Sequence, residues 1–210
     1  MLVKKGAEAN LYLEGWHDRK VIIKRRLPKL YRNPSLDKSI RFHRTILESQ
    51  LIHGAKEAGV PSPTILLIDT DKATIIMEYI KGKQVKQILS SSSKEERNQL
   101  CLQIGELIGR LHNYGIVHGD LTTSNMILTT QERVVLIDFG LGERSEELEK
   151  RGVDLHLMKR SLQSTHYEYA ENCFNFIMKG YIQIVGNSKA EKVLKRIREI
   201  ETRGRYISNR

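Results

Sequence analysis

The stretch from Ile116 to Gly140, IVHGDLTTSNMILTTQERVVLIDFG, limits the fold more than any other part of the chain. Its apolar runs are two to four residues long and are bounded by turn formers and polar residues, so they read as short strands rather than helices. "MIL" and "RVVLI" pair across the turn Thr129 to Glu132. That pairing brings Asn125, at the start of one strand, close to Asp138, at the end of the other. Asp120 follows "IVHG" in a loop.

These three side chains point to one kind of chemistry. An amide carbonyl and a carboxylate are oxygen ligands that suit Mg²⁺, which also keeps waters and substrate phosphates. Asn125 and Asp138 are the candidate metal ligands. Asp120 is then free to accept a proton from an attacking hydroxyl. Phosphoryl transfer needs this combination of positioning and charge neutralisation. Taken singly, each residue is also an ordinary cap or turn former; the combination carries the reading.

Around this segment the chain changes character. "NLYLEG" and "KVIIKR" form a hairpin about Gly15 to Asp18, and "TILLIDTDKATIIMEYI" forms a second about Asp69-Thr70-Asp71. Leu36 to Ala58 reads as a helix, with Ile40, Leu47, Leu51 and Ala55 among its apolar positions. The stretch "SKEE" reads as a capping box, Ser93 with Glu96, opening a helix that stops at Gly115. The fold class is therefore α+β: a small β-rich lobe over residues 1–79, a break at Tyr79 to Gly82, and a mainly helical lobe over residues 80–210.

With 210 residues, 40% of them hydrophobic, the chain can bury a core as one domain or as two small lobes. Cys101 and Cys173 lack CxxC spacing and point to a reduced, cytoplasmic setting. The N-terminus has no signal-peptide pattern and no apolar run has membrane-spanning length, so a soluble protein without a membrane partner is expected. The net charge of +10 is concentrated in "KVIIKRRLPKLYR" and at the end of the chain. It fits nucleic acid as a partner, and equally a solvated helix face with a solubilising tail.

"HGDLTTSN" and "DFG" resemble the catalytic loop and metal-binding motif of the protein-kinase superfamily. The resemblance implies ATP and Mg²⁺, with Asp120 as catalytic base and Asn125 and Asp138 on the metal. It implies that Lys24 in "VIIKRR" holds the α/β-phosphates and that Glu48 is its helix partner. It places Gly6, Ala7, Glu8 and Ala9 in the loop that covers the phosphates, a weak version of the family's glycine-rich pattern. Met77 to Ile80 becomes the hinge that meets adenine through its backbone, with Glu78 and Ile80 as its contacts.

Three departures select a branch. Gly119 stands where kinases carry an arginine, only "LGERSEELEK" separates Gly140 from the next helical segment, and no APE motif follows. Nor is there a helical insertion of the kind that holds small acceptors in aminoglycoside phosphotransferases. "LVKKGAEANLY", "VIIKRRLPKLYRNPSLDKSI", "HGDLTTSNMI", "IDFGLG", "GVDL" and the terminal "RGR" together resemble the Bud-type kinase/ATPase subunit of the KEOPS (EKC) complex, nearly end to end.

That resemblance implies a role in making threonylcarbamoyladenosine beside the tRNA anticodon. The implied partners are a Kae-type sugar-kinase-fold subunit, a Cgi-type small subunit and tRNA. A final helix buries Val193, Leu194, Ile197 and Ile200 and turns Lys192, Lys195, Arg196 and Arg198 outward. It leads into a flexible Arg203-Gly204-Arg205 tail, so residues 193–210 form the expected tRNA-binding segment, with Lys195, Arg196, Arg198, Arg203 and Arg205 as its contacts. Two other readings stay open: a stand-alone serine/threonine kinase, and a kinase-fold scaffold without activity.

Overall fold

The computed structural model describes the backbone of residues 1–207 and the side chains of residues 1–203; residues 208–210 lie outside it. The N-terminal part is a five-stranded antiparallel sheet in the order β1-β2-β3-β5-β4. Its strands are β1 (Leu2–Lys5), β2 (Asn10–Trp16), β3 (Arg19–Arg25), β4 (Ile65–Asp69) and β5 (Thr74–Glu78), with helix α1 (Pro34–Glu57) inserted after β3. The β2–β3 hairpin closes at the pair Trp16–Arg19. His17 and Asp18 both take positive φ, as a two-residue turn between twisted strands requires. β1, for which the sequence offered no strand signal, pairs with β2 at the edge of the sheet.

Helix α1 begins two residues earlier than the apolar pattern implied. Asn33 caps it, accepting the backbone N–H of Ser35 at 3.0 Å, and Pro34 takes the first turn, where its missing N–H costs nothing. The face that α1 turns inward is unusual. Leu51, Ile52 and Ala55 are buried there, but so are Thr45, Glu48 and Ser49, while Leu47 stays 38% exposed. The helix is rotated to carry Glu48 under β3.

The C-terminal part holds β6 (Gly82–Gln84), α2 (Val85–Ile88), α3 (Lys94–Asn113), β7 (Ile116–Val117), β8 (Met126–Thr129), β9 (Val134–Leu136), β10 (Glu143–Arg144), α4 (Leu148–Thr165), α5 (Ala170–Val185) and α6 (Asn187–Ile207). The capping box at α3 is present in both directions, Glu96 N–H to Ser93 Oγ at 3.2 Å and Ser93 N–H to Glu96 Oε2 at 2.8 Å. Gly115 ends the helix at φ 75°. Besides the expected β8–β9 pair, β6 joins β8, and β10 joins β7.

Helices α3 and α5 touch backbone to backbone. A Cβ on Gly105 would lie 1.9 Å from the Ile177 carbonyl oxygen, and one on Gly180 2.1 Å from that of Leu102. This contact seats a continuous core that includes Leu51, Ile104, Leu111, Met126, Leu155 and Tyr181. Cys101 and Cys173 are free, buried thiols on α3 and α5. No helix among the described residues is long and apolar enough to cross a membrane.

The C-terminal expectation needs correction. Arg203-Gly204-Arg205 does not begin a flexible tail, because α6 continues through Ile207. Its stripe is as expected at Val193 and Ile197, which are buried, and partial at Leu194 and Ile200.

Candidate active site

Strand β3 delivers Lys24, and α1 brings Glu48 up beneath it. Lys24 Nζ lies 2.6 Å from Glu48 Oε1 and 2.6 Å from Asp138 Oδ1. Lys24 is 6% exposed and Glu48 1% exposed, so their charges interact with little solvent between them. Burial alone would lower the Lys24 ammonium, but the carboxylates of Glu48 and Asp138 outweigh it and hold it above the ordinary lysine value. For Asp138, burial pushes upward, and the Lys24 ammonium outweighs that and leaves the carboxyl below the ordinary aspartate value.

Asp138 itself sits at φ 64°, in the left-handed region, at the end of the strand segment that β9 begins. The Ile137 N–H donates to the Asn125 carbonyl at 2.9 Å, which joins the two strand ends. Asn125 Nδ2 donates to the Asp120 carbonyl at 3.0 Å and to Asp120 Oδ2 at 2.7 Å. With its nitrogen committed, the amide presents its oxygen. Asp138 keeps a second oxygen beyond the one bonded to Lys24. An amide and a carboxylate oxygen on adjoining strand ends fit a hard cation such as Mg²⁺ that draws its other ligands from water and phosphate. Among the described residues no group of three His, Cys, Asp or Glu side chains forms a metal cage.

Lys24, Asp120 and Asp138 line one cavity of about 260 Å³, and Gly6, Ala7, Glu8 and Ala9 line it from the other side. The loop is tied down: Gly6 N–H donates to the Ala9 carbonyl at 3.1 Å, Lys29 Nζ donates to the Ala7 carbonyl, and Arg44 pairs with Glu8 at 3.2 Å. The proposed hinge contacts Glu78 and Ile80 behave differently. They line a separate cavity of about 650 Å³ with Lys56, Lys81 and Arg133, and not the one that Lys24 lines.

The sequence reading missed the residues that hold this site. Arg26, two positions after Lys24 and on the same face, places Nη2 2.6 Å from Glu48 Oε2. Asp154, the acid of "GVDL" on α4, accepts the His118 N–H at 2.7 Å and the Gly119 N–H at 2.8 Å. It also meets His112 Nε2 at 3.3 Å. His118 Nε2 donates to the Ile137 carbonyl at 3.1 Å, tying the loop that carries Asp120 to the strand before Asp138. The "KRR" pattern carried a signal for Arg26, because residues two apart on a strand share a face.

Comparison with known proteins agrees with this geometry. The model of the lipopolysaccharide kinase (Kdo/WaaP) family matches residues 5–181. A protein of Pyrococcus abyssi described as "KEOPS complex subunit Bud32" is 47% identical over 211 residues, covering 98% of this chain and 96% of that protein. The chain belongs to the Bud32 family. A further relative in this family, a "probable bifunctional tRNA threonylcarbamoyladenosine biosynthesis protein" of Methanothermobacter thermautotrophicus, is 45% identical over 98% of this chain, which spans 36% of that longer protein. The fold alone is shared with the Rio2 kinase of Chaetomium thermophilum in its ADP/Mg²⁺-phosphoaspartate complex, at TM-score 0.65 and 15% identity over 95% of this chain and 70% of that one. The chain thus has the protein-kinase-like fold that its motifs imply.

Within this Bud32 fold, α6 places the expected tRNA contacts unequally. Lys195 and Arg198 are exposed, and among the described residues neither forms an ion pair. Arg196 lies 3.1 Å from Glu149 and 2.6 Å from Glu199, and Arg203 lies 2.9 Å from Glu149. Those two cations bind α6 to α4. The side chain of Arg205 lies outside the described residues.

Proposed function

We propose that this chain is the atypical serine/threonine kinase or ATPase subunit of a KEOPS-type complex, using Mg-ATP in the cytoplasm to support threonylcarbamoyladenosine formation in tRNA. The observation that carries the reading is the convergence of Lys24, Asp120 and Asp138 on one cavity, with Asn125 bonded to Asp120. The names of the relatives supply the biological setting. Residues 1–79 act as the N-lobe and residues 80–210 as the C-lobe, and the nucleotide lies between them. Lys24 binds the phosphates, and the Gly6 to Ala9 loop covers them.

The metal, when bound, neutralises phosphate charge and orients it. Asn125 and Asp138 hold it. Asn125 also fixes the Asp120 carboxylate, which accepts the proton from the attacking oxygen. That oxygen belongs to water or to a hydroxyl of this chain itself. A docked peptide is disfavoured by the segment after Gly140: α4 starts at Leu148, and Glu143–Arg144 is already paired with β7. Gly119 supports the same conclusion. A Cβ there would lie 2.1 Å from the Leu141 carbonyl oxygen, so no phosphate-clamping side chain fits.

The proposed partners are a Kae-type sugar-kinase-fold subunit, a Cgi-type small subunit and tRNA, with Lys195 and Arg198 as the first phosphate contacts of residues 193–210. Reconstitution tests the reading. The full chain, the Kae-type partner, tRNA, ATP and an activated donor of the threonylcarbamoyl group should give threonylcarbamoyladenosine, and Asp120→Ala should suppress it. Equal modification with the variant contradicts the reading.

A further inference from the structure

Arg26 is 2% exposed, and an arginine is rarely so buried unless it is paired. Its guanidinium has more to satisfy than its surroundings supply. Nη2 bonds Glu48 Oε2 at 2.6 Å and Nη1 reaches Thr45 Oγ1 at 3.4 Å, while Nε is buried without a partner. The side chain nevertheless lines the same cavity as Lys24, Asp120 and Asp138. A Cβ built on Gly140 would meet Lys24 Nζ at 3.2 Å and Arg26 Nη2 at 3.6 Å, so both cations stand against one wall of the cleft.

Glu48 therefore serves two cations, one per oxygen, each at 2.6 Å. With Asp138 the group holds two positive and two negative charges. A lysine that alone neutralised a buried glutamate would face that carboxylate's full charge in competition with any phosphate it had to bind. Here Arg26 takes one oxygen. When Lys24 Nζ turns toward an incoming phosphate, Glu48 keeps a counter-cation and its buried charge is not exposed.

We propose that Arg26 is a positioning residue for the nucleotide triphosphate: by neutralising half of Glu48 it frees Lys24 for the phosphates. This rests on the ATP-handling function proposed above, and adds to it a residue that no motif of the catalytic loop names.

The test uses the full chain, with steady-state phosphate release against ATP concentration and a thermal melt for each variant. Arg26→Met should raise KM for ATP by about tenfold, the scale of one charge-assisted hydrogen bond, with a smaller change in kcat. Glu48→Gln added to Arg26→Met should bring KM back toward the wild-type value, because the competing charge is gone. A KM unmoved by Arg26→Met, or raised and not recovered in the double variant, overturns the inference and leaves Arg26 as a brace. Should Arg26→Met not fold, Arg26→Gln carries the test. It removes the charge and keeps polar contacts to Glu48 and Thr45, so a raised KM supports the inference and an unmoved KM overturns it. Absence of turnover in the wild type defeats the functional reading together with this one, whereas wild-type turnover with an insensitive Arg26 defeats this one alone.

Discussion

Asp154 Oδ1 accepts the backbone N–H of Gly119 at 2.8 Å, across 35 residues of sequence. Its other oxygen accepts the N–H of His118 at 2.7 Å. One fully buried carboxylate on α4 thus fixes the two residues that precede Asp120. Removing it leaves those buried donors unpaired, at about 1–3 kcal/mol each. Asp154→Ala is expected to lower stability to urea by several kcal/mol, the sum for two buried donors, and to lower turnover with it. Asp154→Asn, which keeps the shape and one acceptor, should lose less. Urea denaturation with far-ultraviolet dichroism measures both.

Gly119 gives a second prediction. Its φ of 77° and the 2.1 Å approach to Leu141 exclude a side chain. Gly119→Ala places Cβ in the left-handed region at about 1–2 kcal/mol before any clash is counted. In a chain of this size that corresponds to a melting temperature lower by roughly 2–8 °C. Gly119→Arg, which restores the usual kinase residue, is expected to be worse. Thermal melts of the two variants decide; a neutral Gly119→Ala would mean that the loop is not packed as described.

The charge cluster sets a pH window. Asp138 is held below its ordinary value, so its contribution to stability is present above the unfolded pKa of about 3.9 and is lost as pH falls through the lower folded value. Lys24 is held above its ordinary value, so its contribution is complete below about 10.4 and is lost as pH rises through the folded value. The melting-temperature difference between wild type and Asp138→Asn should be level from pH 7 to 5 and shrink below about pH 4. A difference that already fades near neutral pH contradicts the Lys24–Asp138 contact.

On α6 the free and the paired cations should separate. Lys195→Glu and Arg198→Glu are expected to weaken tRNA binding and to reduce the salt slope by about one per lost phosphate contact. Arg196→Ala and Arg203→Ala, whose partners are Glu149 and Glu199, should act mainly on the α4–α6 contact and on thermal stability. Filter binding across a salt series distinguishes the pairs. Equal effects on tRNA from all four substitutions would contradict the division.

Local signals made much of the architecture legible. The capping box at Ser93, the stop at Gly115 and the β2–β3 turn follow from neighbouring residues, while the β4–β5 turn runs from Thr70 to Ala73, with Asp69 of the expected turn already paired in β4. Asp120, Asn125 and Asp138 lie within one short stretch, and the β8–β9 pairing that joins two of them is local as well. Arg26 was legible only as far as the face it shares with Lys24, because its burial depends on how α1 rotates beneath β3, and in sequence it is one cation in a basic run. Asp154 carried no hint of its two backbone contacts, since these form only when α4 docks on the loop. The terminal "RGR" read as flexible because glycine weakens a helix; α6, packed along α4, runs through it nonetheless.

The central claim is that this cleft turns over Mg-ATP through Asp120 and Asp138. Steady-state phosphate release by the full chain, wild type against Asp120→Ala and Asp138→Ala, tests it most directly. With both variants folded by thermal melt, turnover should fall by about a hundredfold or more in each. Turnover equal to wild type in either variant would contradict the account.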